Sequence, residues 1–113
     1  DCRLPGRTAE QTRYLSSLYG VRDGQLRVYG DEEWTSPVAS GSGAPRRMAV
    51  CPASMATVSA IACGASENLL ERAADVVIKE RGNLVVVPRE TPFSAIHLEN
   101  MLRLSRLGVT ILP

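Results

Sequence analysis

Tyr14, Leu15, Leu18 and Tyr19 recur at the spacing of one helical face, Thr8 and Gln11 ahead of them have capping-box spacing, and Gly20 follows. This pattern predicts a helix from about Ala9 to Tyr19. Leu26 and Val28 alternate with polar Gln25 and Arg27, as in a half-buried strand, and Asp31 to Trp34 suit a helical turn. Thr35 to Pro45 reads TSPVASGSGAP, a loop by composition.

The second half is more regular. Met48 to Cys51 is a short apolar run ending at Pro52, and Ser54 can cap a helix of small residues that runs to Cys63 and stops at Gly64. The next helix is expected to be capped by Ser66. Glu67 and Glu71 stand near its positive end, Lys79 and Arg81 near its negative end, and Leu69, Leu70, Ala73, Val76 and Val77 form its buried stripe. Gly82 and Asn83 turn the chain into Leu84 to Val87, an apolar run of the kind buried on both faces of a parallel sheet. A last helix from about Ser94 to Leu107 carries Ile96, Leu98, Met101, Leu102 and Leu104 on or near one face, and Gly108 closes it before the strand Val109 to Leu112.

Strands separated by helices imply right-handed crossovers and an α/β fold, a parallel sheet with helices on both faces. Ligands of such sheets bind beyond the carboxyl ends of the strands, here Pro52 to Ser54, Pro88 to Glu90 and Pro113. The 28 Leu, Ile, Val and Phe among 113 residues suffice for a core, so disulfides and a structural metal are not required. Thirteen basic against twelve acidic side chains argue against nucleic acid as a partner. No apolar stretch is long enough for a membrane span, and no secretory leader opens the chain. Cys51 and Cys63 lie in apolar runs and are expected in the core, which with Cys2 makes a reducing, cytoplasmic setting the simpler expectation. The opening Asp1 and the stop at Pro113 suggest one truncated domain within a longer polypeptide.

Several groups can carry chemistry. Ser40 to Gly43 can form an anion-binding nest or a plain surface loop. Ser54 to Thr57, at a helix start after a buried strand, offers free N–H donors to an anion, with simple capping as the alternative. Arg89 and Glu90, just past the most buried strand, suit phosphate binding and proton transfer, or a structural ion pair. Lys79, the only lysine, is explained by the helix dipole alone, and His97, the only histidine, by packing or capping. Zinc-ligand spacing is absent, as are a complete dinucleotide fingerprint, a Walker A motif and a nucleophile elbow.

The stretches CPASMAT, NLLERAADVVIKER, VVVPRETPFSAIHLENM and LGVTILP resemble the flavin prenyltransferase family, the UbiX type once called aromatic-acid decarboxylases. The similarity extends through VYGDEEWTSPVASGS toward the start. It implies a flavodoxin-like or Rossmann-like three-layer fold that binds FMN and joins dimethylallyl phosphate to its reduced form. Prenylated FMN then serves partner decarboxylases in ubiquinone or aromatic-acid metabolism. The resemblance also implies homo-oligomers with sites at subunit interfaces and no metal. It assigns Ser42, Ser54, Met55, Ala56, Thr57 and Arg89 to the flavin. Lys79 and Glu90 go to the prenyl phosphate, with Arg72 approaching from a neighbouring subunit, and Glu90 is the proton carrier.

Two departures bear on this. The family's opening G-A-S-G phosphate loop, and the aromatic residue and arginine beyond its last strand, have no counterpart between Asp1 and Pro113. Ala53 and Ala56 replace a frequent cysteine and a frequent lysine or glycine. More distantly the chain resembles flavin-containing cysteine decarboxylases, whose PASANT turn carries an asparagine where Met55 and Ala56 stand here. A non-catalytic flavin-binding or assembly module is the remaining alternative.

Overall fold

The computed structural model describes residues 8–113, which fall into two compact units, one ending at Glu33 and the other running from Trp34 to Pro113. Cys2 lies outside the described residues.

In the first unit helix α1 spans Thr8–Tyr19, one residue longer than its pattern predicts, and Gly20 leaves it with φ 64°. None of its residues is buried. The strand expected around Leu26 to Val28 is absent. Leu26 and Val28 are half-buried and Arg27 exposed, as the alternation requires, but the Val28 N–H donates to Thr12 Oγ1 (2.9 Å) instead of a neighbouring strand. A hydroxyl one helix away has taken the place of a sheet partner. Asp31 to Trp34 makes turns in place of the expected helical one.

The second unit holds strands β1 (Arg47–Ala53), β2 (Asn83–Pro88) and β3 (Thr110–Ile111) and helices α2 (Met55–Cys63), α3 (Leu69–Lys79) and α4 (Ala95–Arg106). A single 3-10 turn, Pro37–Ala39, interrupts the loop before β1. The strands are parallel in the order β1-β2-β3, the α/β topology expected from the sequence. Both crossovers step the same way across the sheet, so right-handed connections put their helices on one face. Val50, Leu84, Val86 and Val109 point into that layer, against Val58, Ile61, Ala62, Ala74, Val77, Met101 and Leu104. Val85 and Val87 are only half-buried, so within this unit β2 is covered on one side, where its unbroken apolar run led us to expect both.

β1 extends through Pro52, where the sequence suggested a stop at Cys51. Arg47↔Asn83 to Val50↔Val86 pair in steady register, but Ala53 then faces Pro88, so β1 carries one extra residue. Cys51 is exposed because it follows inward-facing Val50, and the bulge leaves Pro52 exposed as well and turns Ala53 back into the core, three residues after Val50. Cys63, the last residue of α2, is exposed as well, so neither cysteine is the core residue its apolar neighbourhood predicts.

The helix ends show which signals prevailed. Ser54 caps α2 and Gly64, at φ 73°, closes it, both as expected. Asn68, not Ser66, caps α3: its Oδ1 accepts the Glu71 N–H (2.8 Å), while the buried Glu71 carboxylate accepts the Glu67 N–H (3.1 Å) and the Asn68 side-chain amide (3.1 Å). The buried stripe differs from the expected one as well: Ala74 is buried and Leu70 is 40% exposed. On α4 only Met101 and Leu104 are buried; Ile96, Leu98 and Leu102 face outward, contrary to the expected stripe.

Leu104 is fully buried and Ile96 is 69% exposed. In a protein carrying this chain, Leu104→Ala is expected to cost about 2–5 kcal/mol and Ile96→Ala under about 0.5 kcal/mol, read by urea unfolding.

Candidate functional site at the carboxyl edge of the sheet

β1 and β2 end side by side. The Arg89 N–H donates to Ala53 O (2.8 Å), carrying the ladder one step past Pro88 and holding the Ser54 turn next to Arg89 and Glu90. Ser54 lies in extended conformation, φ −70° and ψ 157°, as an N-cap does, and its Oγ accepts the Thr57 N–H (3.1 Å) and pairs with Thr57 Oγ1 (3.0 Å). The Ser54 carbonyl accepts the Val58 N–H (2.9 Å). Met55 packs against the core, so the turn is anchored from below, while Ala56 is exposed. Helix geometry leaves the N–H groups of Met55 and Ala56 without intrahelical acceptors, pointing out of the positive end of α2.

Arg89 and Glu90 are both exposed. Glu90 Oε1 accepts the Thr91 N–H (3.2 Å), which turns the carboxylate back along its own loop. One strand end therefore offers hydroxyls and free N–H groups, and its neighbour a guanidinium and a carboxylate. The set can hold an anion and exchange a proton beside it. Among the described residues no group of three or more His, Cys, Asp or Glu is arranged to hold a metal ion. Among the described residues no helix is long and apolar enough to cross a membrane.

The other residues singled out in the sequence are elsewhere. Lys79 ends α3, four residues before β2 begins, and the Asn83 N–H donates to Arg46 O (2.7 Å) at the foot of β1. It stands at the amino edge, separated from Glu90 by the length of β2, roughly 16 Å at strand rise. There its Nζ pairs with Glu80 (3.5 Å) in an exposed contact. Ser42 is at that same edge: its loop neighbour Gly41 lies so close to Glu80 that an added Cβ would collide with the carboxylate. The Ser40 to Gly43 segment thus faces a negative charge. Its two hydroxyls approach each other (3.4 Å), and Gly43 folds onto Pro37. Arg72 donates from Nε to Ala39 O (3.1 Å) and pairs with Asp75 (3.6 Å), pinning the 3-10 turn to α3. His97 is a capping residue, one of the two readings its position allowed.

The Asn68-x-x-Glu71 pair and the contact of Glu80 with Gly41 were missed by sequence reading. The first has a signal, the polar residue three before a glutamate; the second has none, since 39 positions separate the partners.

The described part of the chain, residues 8–113, matches the model of the family described as Flavoprotein. It is 55% identical over 113 residues to the flavin prenyltransferase UbiX of Pseudomonas aeruginosa, covering all of this chain and 54% of that protein. With the enzyme of the same name from Halalkalibacterium halodurans it shares 52% over 106 residues, 94% of this chain and 52% of that one. Among solved structures it superimposes with a TM-score of 0.78 on a dodecameric FMN-dependent UbiX-like decarboxylase from Escherichia coli, at 44% identity over 89% of this chain and 52% of that chain. A UbiX protein in complex with FMN and dimethylallyl pyrophosphate gives 0.76, at 44% identity over 87% of this chain and 50% of that chain. The chain spans about half the length of these relatives.

Ser54→Ala removes the acceptor for the Thr57 N–H and is expected to cost about 1 kcal/mol in urea unfolding, while Ser54→Asp restores most of it. Ser42→Ala, at an exposed hydroxyl, is expected to stay within about 0.5 kcal/mol of the parent.

Proposed function

Because the chain belongs to the flavoprotein family, we propose that it forms part of a flavin prenyltransferase, an enzyme that joins dimethylallyl phosphate to reduced FMN. The observation that carries the reading is the Arg89–Ala53 backbone bond, which sets the α2 start beside Arg89 and Glu90. The donor set fits the group. FMN brings a phosphate and a polar isoalloxazine edge, and Ser54, Thr57, the first N–H groups of α2 and Arg89 supply hydrogen-bond donors and positive charge. Bound in reduced form, FMN supplies the nucleophile for the allylic carbon.

The chain's own residues then have distinct tasks. The α2 start, with Ser54, Met55, Ala56 and Thr57, orients the flavin, and Arg89 offsets negative charge gathered at the carboxyl edge. Glu90, a carboxylate next to that guanidinium, holds and moves the proton that ring formation on the flavin requires. Lys79 and Arg72 serve the phosphate of the prenyl donor. Both sit on α3, and Lys79 ends at the opposite edge of the sheet, so this task falls to Lys79 of a neighbouring copy in a homo-oligomer. The description of the Escherichia coli relative as dodecameric supports such an arrangement. In the same reading Ser42, next to the Gly41 that approaches Glu80, contacts flavin only across such an interface. The prenylated product passes to a decarboxylase that uses it.

The cysteine-decarboxylase alternative asks for an asparagine in the turn that holds Met55 and Ala56 here.

Prenyl transfer and flavin fluorescence titration of the full-length protein test the assignment. Glu90→Gln is expected to retain FMN and slow transfer by about 10²–10⁴-fold. Arg89→Ala is expected to weaken FMN by about 10–100-fold, the worth of one charge-assisted hydrogen bond. Lys79→Ala is expected to raise the KM for dimethylallyl phosphate by a larger factor than it raises the Kd for FMN. Full transfer activity in Glu90→Gln would remove the carboxylate from the mechanism.

A further inference from the structure

The connection that carries Arg89 and Glu90 hangs from two points. Its start is tied by the Arg89–Ala53 backbone bond, and its end by Phe93, which packs against the core, and by Ser94, the cap of α4. The four residues between, Arg89 to Pro92, are exposed. Whatever holds the second point therefore sets where the carboxylate of Glu90 can stand.

That second point is a reciprocal pair. Ser94 Oγ accepts the His97 N–H (3.2 Å), and the Ser94 N–H donates to His97 Nδ1 (3.1 Å). Such a box ordinarily carries glutamate or glutamine at the third helical position, side chains that accept at neutral and mildly acidic pH alike. An imidazole accepts through Nδ1 only when it is neutral with its proton on Nε2. Protonation makes Nδ1 a donor aimed at another donor, and puts positive charge at the positive end of the α4 dipole. Histidine is the side chain whose charge ordinarily changes between about pH 5 and 8. The cap is exposed, so protons reach it freely.

Little else on the neighbouring elements competes for the ring. α4 packs against α2 and β3. β3 has no ionisable side chain and α2 has only Cys63, at its far end. The remaining charged groups are Arg89 and Glu90 on the connection itself, and Glu99, Arg103 and Arg106 further along α4.

We propose that His97 is a positioning residue: its neutral imidazole closes the α4 cap and so holds the Arg89–Glu90 connection in its working position, and its protonation releases that connection. The part concerning the reaction rests on the reading of Glu90 given above; the part concerning the cap does not. The contact belongs to the neutral ring and is lost on protonation, because only the neutral ring accepts.

The test uses ¹⁵N-labelled full-length protein, with His97→Gln and His97→Ala beside the parent. Above the titration, imidazole ¹⁵N shifts are expected to place the proton on Nε2. Below it, exchange of the Ser94 amide, corrected for intrinsic rate, is expected to accelerate about tenfold, the loss of one hydrogen bond. In His97→Gln the amide is expected to stay protected at both pH values. Prenyl transfer is expected to lose its acid limb in His97→Gln, and to fall across the whole pH range in His97→Ala. A proton on Nδ1, a Ser94 amide indifferent to pH, or an unchanged acid limb in an active His97→Gln would each overturn the proposal. If the tautomer and exchange results hold while no variant and no parent transfers a prenyl group, the cap stands and the prenyltransferase reading falls.

Discussion

The pairing of β1 with β2 is the constraint from which the rest of the second unit follows. Four residues pair in steady register, a single extra residue enters at Cys51 and Pro52, and the ladder then resumes at Ala53 opposite Pro88. The extra residue returns Ala53 to the core side and lets the Ser54 turn begin directly above buried side chains. The same ladder continues into the Arg89–Ala53 bond, so helix start and charged loop are set by one backbone geometry. A parallel pair needs a crossover, and α2 with α3 supplies it, which also obliges α3 to end at the foot of β2.

That obligation divides the charged residues between two edges. Arg89 and Glu90 follow β2; Lys79 and Glu80 precede it. An arginine beside a helix N-terminus attracts anions, whereas a glycine-rich loop beside the Glu80 carboxylate does not, so the two segments that can each bind an anion by sequence differ in character once folded. A catalytic role for both edges in one reaction requires two copies of the chain, each lending a different end of its sheet.

The caps carry as much positional information as the core. Ser54, Asn68 and Ser94 each accept from an N–H in the first turn of its helix, and each fixes the entry angle of the chain into the helical layer. In two cases the partner three residues on also reaches back, Glu71 toward Glu67 and Asn68, and His97 toward Ser94. The buried glutamate is satisfied by two donors, so its charge is kept at little cost at the positive end of a helix.

The sequence alone determined what depends on neighbours along the chain. The α/β order, the Ser54 cap, the helix beginning near Ser94, the glycine stops at Gly64 and Gly108, and the placing of Ser54 and Arg89 past strand ends were all readable, because periodicity and capping are local. So was the family resemblance, carried by long runs around VVVPRETP. Tertiary structure decided the rest. Val85 and Leu98 are as apolar as Val86 and Leu104, and only the packing of neighbouring elements selects which pair is buried. The bulge that returns Ala53 to the core arises from the match of β1 to a strand more than thirty residues away, and the Thr12 hydroxyl that replaces a strand partner for Val28 lies on another element. Likewise, no local pattern states that Lys79 and Glu90 stand at opposite edges; that follows from the length and direction of β2 between them.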